Sequence, residues 1–226
     1  MHAGARLRRG RVRPRYVRVV LLTKYGHACV RLDAPDGSVV LDPGTYSPDV
    51  DLAGVADVLV THEHADHLDA DRLVPAVRAG LRVHTNAAVA AFLAAEHELE
   101  VHPVAPGETF EVAGLSVRVV GGDHAEIYDG LPGCANIGFV LAGVYHPGDS
   151  LHVPDVDVET LLVPVSAPWL KLAEAIDFVR AVAPVRAFPI HDAMLSDIGA
   201  AGVDRWLEMK GGTDYRRLAP GGSTDL

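Results

Sequence analysis

The stretch Thr61-His62-Glu63-His64-Ala65-Asp66-His67 places three histidines and two carboxylates within six consecutive positions. It directly follows Asp57-Val58-Leu59-Val60, an apolar run that is typical of a buried strand. Imidazole is the commonest side-chain ligand of divalent transition metals, and carboxylate is its usual companion. The stretch therefore predicts a metal site in the loop after a strand. The zincin pattern His-Glu-x-x-His does not fit, because Asp66 stands where its second histidine should be.

Strands and helices are predicted from hydrophobic periodicity and turn residues. Strands are expected over 16–22, 27–33, 38–41, 57–61, 81–84, 109–112, 115–120, 136–145, 160–165 and 185–190. Helices are expected over 69–79, 86–97, 169–179 and 203–209, the last with a weak pattern. Strands in two groups, each followed by helices, indicate an α+β fold in which two sheets pack together with helices outside.

Length and charge divide the chain into three parts. The 226 residues suit one sizeable domain, expected over 16–210, with a disordered arginine-rich extension over 1–15 and a flexible tail over 211–226. The first eighteen residues hold seven arginines and no acid, which leaves 13 basic against 30 acidic residues and a formal charge of −17 elsewhere. An arginine-rich arm can bind nucleic acid or a membrane surface or serve in targeting, but a disordered extension or a misplaced start is the favoured interpretation.

The remaining composition narrows the class of protein. An acidic body argues against a nucleic-acid groove, and the apolar runs are too short to span a bilayer. No signal peptide is recognisable, and the two cysteines have no metal-binding or redox spacing. We therefore expect a cytoplasmic protein that acts on a small molecule, with neither nucleic acid nor membrane as a partner. The sequence leaves the oligomeric state open.

Three further strand ends carry candidate ligands. The predicted strands lead into Asp123-His124, into Gly148-Asp149 and into His191, usually beside glycine or proline. Loops at strand ends, held by a rigid scaffold, are where binding groups concentrate. If these ends share one rim, the side chains converge there.

The pattern resembles the metallo-β-lactamase superfamily, whose fold is an αββα four-layer sandwich of two mixed β-sheets flanked by helices. Its first motif is matched by His62, His64, Asp66 and His67, and the likeness covers about residues 17–206. The resemblance implies that His62, His64 and His124 hold one metal, that Asp66, His67 and His191 hold a second, and that Asp149 bridges them. Gly26-His27-Ala28 and Leu41-Asp42-Pro43 look like the lactonase-like branch of small metal-dependent hydrolases.

The same resemblance implies a reaction. Two divalent ions, Zn²⁺ in the first place with Mn²⁺ or Fe²⁺ as options, would activate a water molecule, with Asp66 as the catalytic residue that orients and deprotonates it. The expected function is hydrolysis of a small-molecule ester, lactone, amide or phosphoester. The alternatives are a nuclease or phosphodiesterase of the same fold and a non-catalytic metal-binding sensor. A β-lactamase proper is disfavoured by the missing export signal, and a diiron oxygen-reducing enzyme by His64.

Several other residues have weaker patterns. His146 and His152 compete with His124 for the third histidine position. His27 is expected to be a buried, hydrogen-bonded histidine, and Asp42 to orient a metal ligand or cap a loop. Trp169 and Lys171 either lie at the edge of a substrate pocket, or Trp169 packs in the core and Lys171 lies on the solvated surface.

Overall fold

The computed structural model describes residues 20–47, 50–131 and 133–226, so the predicted extension over 1–15 lies outside the described residues. The strands are, in chain order, Leu21–Gly26 (β1), Cys29–Ala34 (β2), Gly37–Leu41 (β3), Asp57–Val60 (β4), Arg82–Thr85 (β5), His102–Pro103 (β6), Thr109–Val112 (β7), Leu115–Asp123 (β8), Ala135–Leu141 (β9), Val144–His146 (β10), Thr160–Pro164 (β11), Arg186–Ile190 (β12), Asp214–Tyr215 (β13) and Ser223–Asp225 (β14). The helices are Ala70–Arg78 (α1), Ala87–His97 (α2), Leu172–Val182 (α3) and Asp197–Lys210 (α4).

Within the described ranges, the strands form two mixed sheets of seven strands each. The first has the order β14-β1-β2-β3-β4-β5-β6, and the second has the order β13-β12-β11-β10-β9-β8-β7. In the first sheet β3, β4 and β5 run parallel, whereas β1, β2 and β3 form an antiparallel meander. In the second sheet β10, β11 and β12 run parallel, and β9 runs antiparallel to both of its neighbours.

The two sheets pack face to face, and the helices cover their outer faces. The core between the sheets contains, among others, Leu22, Leu32, Leu41, Leu59, Val119, Phe139, Leu162 and Phe188. Helices α1 and α2 bury Leu73, Val89 and Leu93 against the first sheet. Helices α3 and α4 bury Phe178, Val179 and Leu207 against the second sheet. The predicted αββα sandwich of two mixed sheets is confirmed.

Side-chain caps explain where three of the helices begin. The carboxylate of Asp69 accepts a hydrogen bond from the Arg72 amide at the start of α1, and Asn86 caps α2 by accepting from two amides. Ser196 caps α4 in the same way. For this reason α4 begins at Asp197 and not at residue 203, where the apolar pattern first becomes visible.

Some predicted boundaries were wrong. The single strand expected over 136–145 is a hairpin, because the chain reverses at Ala142-Gly143, where both residues have positive φ. The first strand continues to Gly26 and does not end at residue 22, whereas its predicted start over 16–19 lies outside the described residues. Helix α3 begins at Leu172 and not at Trp169. The segment 211–226, predicted to be a flexible tail, contributes β13 and β14, which pair with β12 and β1.

Within the described ranges, none of the helices has the length and apolar character needed to cross a bilayer.

Candidate metal centre

The strand ends that carry the predicted ligands meet at one edge of the sandwich. Strands β8, β10 and β12 all run in the same direction, because β9 is antiparallel to both β8 and β10 and because β10 to β12 are parallel. His124, Asp149 and His191 follow these three strands. His62 follows β4 of the facing sheet. The predicted convergence is therefore present in the fold.

One group of side chains comprises His62, His64, His124 and Asp149, whose donor atoms lie within 4.8 Å of one another. The Nε2 atom of His62 is 3.1 Å from Nδ1 of His64. The Oδ2 atom of Asp149 is 3.3 Å from Nε2 of His124 and 4.0 Å from Nε2 of His62. Three imidazoles and a carboxylate thus surround one small volume.

A second group forms on the other side of Asp149. Its Oδ1 atom is 3.0 Å from Nε2 of His67, and its Oδ2 atom is 3.1 Å from Nε2 of His191. The Oδ2 atom of Asp66 is 3.3 Å from Nε2 of His191 and 3.7 Å from Nε2 of His67. Asp149 therefore contacts histidines of both groups, which is the position that a bridging carboxylate requires.

Hydrogen bonds at Nδ1 turn four of the imidazoles so that Nε2 faces the centre. Asp42 accepts from Nδ1 of His67 at 2.7 Å and from the Thr61 hydroxyl at 2.7 Å. Because that hydroxyl donates to Asp42, it accepts from Nδ1 of His62 at 3.0 Å. The predicted orienting role of Asp42 thus has a direct structural basis.

Backbone carbonyls orient the other two rings. The Nδ1 atom of His124 donates to the carbonyl oxygen of Ala125 at 2.5 Å, and that of His191 donates to Ser166 at 2.6 Å. A fixed Nδ1–H leaves Nε2 as the nitrogen with a free lone pair, which is the state that binds a metal.

The hydrogen bonding of the buried atoms tests whether the site fits metal ions. Among the described residues, five buried side-chain nitrogen or oxygen atoms have no hydrogen bond of acceptable geometry. Four of the five lie here: Nε2 of His67, His124 and His191, and Oδ1 of Asp149. Unpaired buried polar atoms are rare because each costs about 1–3 kcal/mol. Their concentration at one point fits a site that is completed by cations.

The charges of the site lead to the same conclusion. Burial lowers the pKa of His67, but the carboxylates of Asp149 and Asp42 raise it by more, so that without a cation this ring holds a proton. His191 behaves similarly, since burial lowers its pKa but the adjacent carboxylates of Asp149 and Asp66 raise it by more, to above the ordinary value. Burial raises the pKa of the Asp149 carboxyl, yet His67 and the other imidazoles hold it well below its usual range. Without a cation, protons on these imidazoles balance the negative charge of the carboxylates. Divalent cations would displace those protons and balance the same charge.

Three residues at the centre have backbone conformations that side chains rarely adopt. His27, Asp42 and His191 have φ values of 44°, 46° and 55°. Such conformations cost roughly 1–2 kcal/mol each and persist only where the surroundings impose them. The amide of His191 donates to the His27 carbonyl and that of Asp42 to the Leu59 carbonyl, both at 3.0 Å. Strain concentrated in this way is typical of functional sites.

His27 lies beside the second group as a hydrogen-bond donor. Its Nδ1 atom accepts from the amide of Ala193 at 3.3 Å, so its Nε2–H donates to Oδ2 of Asp66 at 2.9 Å. It is buried and hydrogen-bonded at both ring nitrogens, as the sequence predicts. Its Nε2 atom also lies close enough to Asp66, His67 and His191 to count geometrically with them, but the proton on that nitrogen opposes ligation.

The competitors of His124 lie outside the two groups. His146 is buried, donates from Nε2 to the Ala28 carbonyl at 2.8 Å, and accepts the Gly148 amide at Nδ1. Both of its ring nitrogens are therefore occupied. His152 is exposed, and its side chain belongs to neither group. The structure thus places His124, among the three candidates, with the other site residues.

Trp169 and Lys171 have different positions. The indole Nε1–H of Trp169 donates to Oδ2 of Asp149 at 3.1 Å, so this residue lies against the candidate centre. The side chain of Lys171 is 84% exposed and faces Glu174, with 3.5 Å between Nζ and Oε1. Sequence patterns could not separate these two cases, because both residues stand next to the same helix start.

Comparison with known proteins places the chain in a family. The family described as "Beta-lactamase superfamily domain" matches residues 21–191. The chain belongs to this superfamily of metallo-β-lactamase fold proteins, as the resemblance implied. Protein Rv0786c of Mycobacterium tuberculosis is 38% identical over 77% of this chain and 85% of its own length. A UPF0173 metal-dependent hydrolase of Methanocaldococcus jannaschii is 29% identical over 76% of this chain and 83% of its own length.

A solved structure gives the same fold. Igni18, described as a metallo hydrolase from the archaeon Ignicoccus hospitalis, superposes with a TM-score of 0.73, at 19% identity, over 92% of this chain and 98% of its own. At that identity the likeness concerns the fold alone. Membership of the lactonase-like branch stays a prediction.

Proposed function

We propose that the protein is a metal-dependent hydrolase in which His62, His64 and His124 bind one divalent ion, Asp66, His67 and His191 bind a second, and Asp149 bridges the two. One observation carries the proposal: seven ligand-type side chains converge, and four of the five unpaired buried polar atoms found in the described residues lie among them. Zn²⁺ is the first choice for such a set, with Mn²⁺ or Fe²⁺ as options, because imidazole and carboxylate accept all three. The relative from Methanocaldococcus jannaschii, described as a metal-dependent hydrolase, supports the reaction class.

When bound, the ions supply an activated water molecule and polarise the scissile bond. The protein contributes the orientation of the reacting groups. Asp66 is partly exposed to the pocket, and the N–H of His27 fixes its Oδ2 atom. Burial raises the pKa of Asp66, but its contacts with His191 and His27 hold that pKa well below the usual range. The carboxylate therefore stays ionised and accepts a hydrogen bond from the attacking water. It then transfers the proton of that water to the leaving group.

Metal content and turnover test this proposal together. Protein purified without added metal should carry about two equivalents by elemental analysis and lose hydrolytic activity on chelation, measured against a panel of lactones, esters, amides and phosphodiesters. Asp66→Ala should retain one tightly bound equivalent, because His62, His64 and His124 remain, and should lose at least about a hundredfold in turnover. Asp71→Ala, which removes an exposed carboxylate of α1, is the control and should change neither quantity. Less than one equivalent of metal, together with indifference to chelators, would contradict the proposal.

A further inference from the structure

Several exposed apolar side chains surround the candidate centre. A pocket of about 190 Å³ opens onto His64, Asp66, His124, Asp149 and His191, and its remaining walls are Tyr46, Ile127, Pro168, Trp169 and Met194. A neighbouring pocket of about 240 Å³ shares Ile127 and adds Leu131. Tyr46, Ile127, Leu131 and Met194 are all exposed. Single exposed apolar side chains are ordinary, but several around one polar centre indicate a surface that binds an apolar group.

Trp169 fixes the position of this wall relative to the centre. Its indole is held by the hydrogen bond to Asp149, and its ring centroid lies 6.0 Å from that of His124 and 6.1 Å from that of His191. Tyr46 packs edge-on against His27 at 5.1 Å between centroids. A molecule whose reacting bond lies at the centre would therefore extend its adjacent chain along these aromatic rings.

The charges of the side chains that line the two pockets disfavour an anionic substrate. Among the described residues, neither pocket is lined by a lysine or an arginine, and Glu126 lines the second. Lys171 stands near Trp169 in sequence but faces Glu174 in solvent. Arginine and lysine are the side chains best suited to binding a phosphate group, so these walls favour a neutral substrate over a phosphoester.

We propose that the substrate is a neutral acyl compound (an ester, lactone or amide) whose chain is apolar and packs on Tyr46, Trp169 and Met194. This inference rests on the proposed function and narrows its substrate class. Hydrolysis adds the oxygen of water to the acyl carbon, breaks the bond from that carbon to the leaving oxygen or nitrogen, and leaves a carboxylic acid and an alcohol or amine that receives the second hydrogen of the water. No further reactant is needed.

A series of substrates with one leaving group tests the class. With metal-loaded protein, kcat/KM should rise by about sixteenfold from p-nitrophenyl acetate to p-nitrophenyl hexanoate, since each of the four added methylenes gains about twofold on a half-exposed apolar wall. Bis(p-nitrophenyl) phosphate should be at least tenfold poorer than the hexanoate. Met194→Ser should lower the hexanoate-to-acetate ratio about threefold. Met209→Ser is the matched control, because Met209 is 53% exposed against 54% for Met194 but lines neither pocket.

Binding provides a readout that does not depend on turnover. The chain has two tryptophans, so a Trp206→Phe background leaves Trp169 as the sole source of indole emission. Titration with neutral straight-chain alcohols from butanol to octanol should change this emission with an affinity that increases with chain length, and Met194→Ser should weaken that dependence where Met209→Ser does not.

The two experiments separate the possible failures. A preference for the phosphodiester over the hexanoate, or equal effects of Met194→Ser and Met209→Ser, overturns the proposal of an apolar acyl substrate and leaves the metal hydrolase in place. Chain-length-dependent binding without hydrolysis of any substrate overturns the proposed hydrolase and keeps the apolar binding surface.

Discussion

Asp42 is a buried carboxylate that orients side chains of the candidate metal centre. It is fully buried and accepts three hydrogen bonds, from the amide and hydroxyl of Thr61 and from Nδ1 of His67. A carboxylate accepts on all of its lone pairs, so three donors can meet one side chain without conflict. The arrangement fixes the ring of His67 directly and that of His62 through the Thr61 hydroxyl.

Asp42→Asn should weaken metal binding by about ten- to a hundredfold, because the amide nitrogen would face a donor and release one of the two rings. Titration against a chromophoric chelator measures the affinity. Asp57→Asn is the matched control: Asp57 is also fully buried, but its carboxylate binds Arg82 and His84. It should lower the free energy of unfolding and leave metal affinity within about twofold. Equal losses of affinity in both variants would show that Asp42 acts only on general stability.

The candidate residues differed in how far sequence could predict them. His62 to His67 are consecutive, so their chemistry is visible without any knowledge of the fold. His124, Asp149 and His191 are separated by 25 or more residues, and they come together only because β8, β10 and β12 run in the same direction in one sheet, with β9 and β11 between them. Family resemblance supplied that arrangement. The contacts of Trp169 with Asp149 depend on the loop before α3, which no local pattern predicts.

At the scale of elements, the loop after β3 packs on the loop that carries the histidines. The amide of Thr45 donates to the Ala65 carbonyl at 2.8 Å. A side chain at Gly44 would overlap the carbonyl oxygen of Asp66 and the amide nitrogen of His67. Glycine is therefore required here by the close approach of two backbones.

Gly44→Ala should lower the free energy of unfolding by roughly 3 kcal/mol, because overpacking here displaces backbone and not a flexible side chain. It should also release the second metal equivalent, since Asp66 and His67 move. Urea unfolding and elemental analysis measure the two effects. Gly202→Ala in α4 provides a control of opposite sign: nothing lies within 4 Å of its added methyl group, so it should stabilise by about 0.5–1 kcal/mol. A Gly44→Ala protein as stable as the parent would contradict the proposed contact.

The elements that sequence failed to predict share a physical cause. β6, β13 and β14 are two or three residues long, so they have no measurable periodicity and exist because a longer strand offers them an edge. The turn between β9 and β10 lies inside a run of apolar residues, and its signal is a single Ala-Gly pair. The longer strands and α1 to α3 were predicted because alternation or a helical apolar face extends over four or more residues.

At the scale of the whole molecule, a charged network joins the two sheets behind the candidate centre. Lys24 of β1 is 2% exposed, and its Nζ donates to Oδ2 of Asp192 at 2.6 Å and to the Pro189 carbonyl at 2.9 Å. Arg217 binds Asp192 as well and makes a two-point contact with Asp204 at 2.8 Å. The network therefore links the first sheet, the loop of His191, α4 and the C-terminal segment.

Removing the two partners of the buried Lys24–Asp192 pair should have unequal effects. Asp192→Ala leaves the ammonium buried without its closest counter-charge and should cost about 3–5 kcal/mol at pH 7. Lys24→Met should cost about 1 kcal/mol, because methionine fills much of the same volume and Arg217 still pairs with Asp192. Urea denaturation measures both values.

The pH dependence of the same variants supplies the check on this interpretation. Burial lowers the pKa of Lys24 from its ordinary value of 10.5 in spite of the nearby carboxylate, and loss of Asp192 would lower it further. A lysine with a depressed folded-state pKa binds fewer protons in the native than in the unfolded state, so stability rises with pH up to the unfolded pKa. The stability difference between the parent and Asp192→Ala should therefore narrow between pH 7 and pH 9, while that between the parent and Lys24→Met should not. If the two variants are equally destabilised at both pH values, the network contributes packing alone, and the buried charge of Lys24 has no part in joining the sheets.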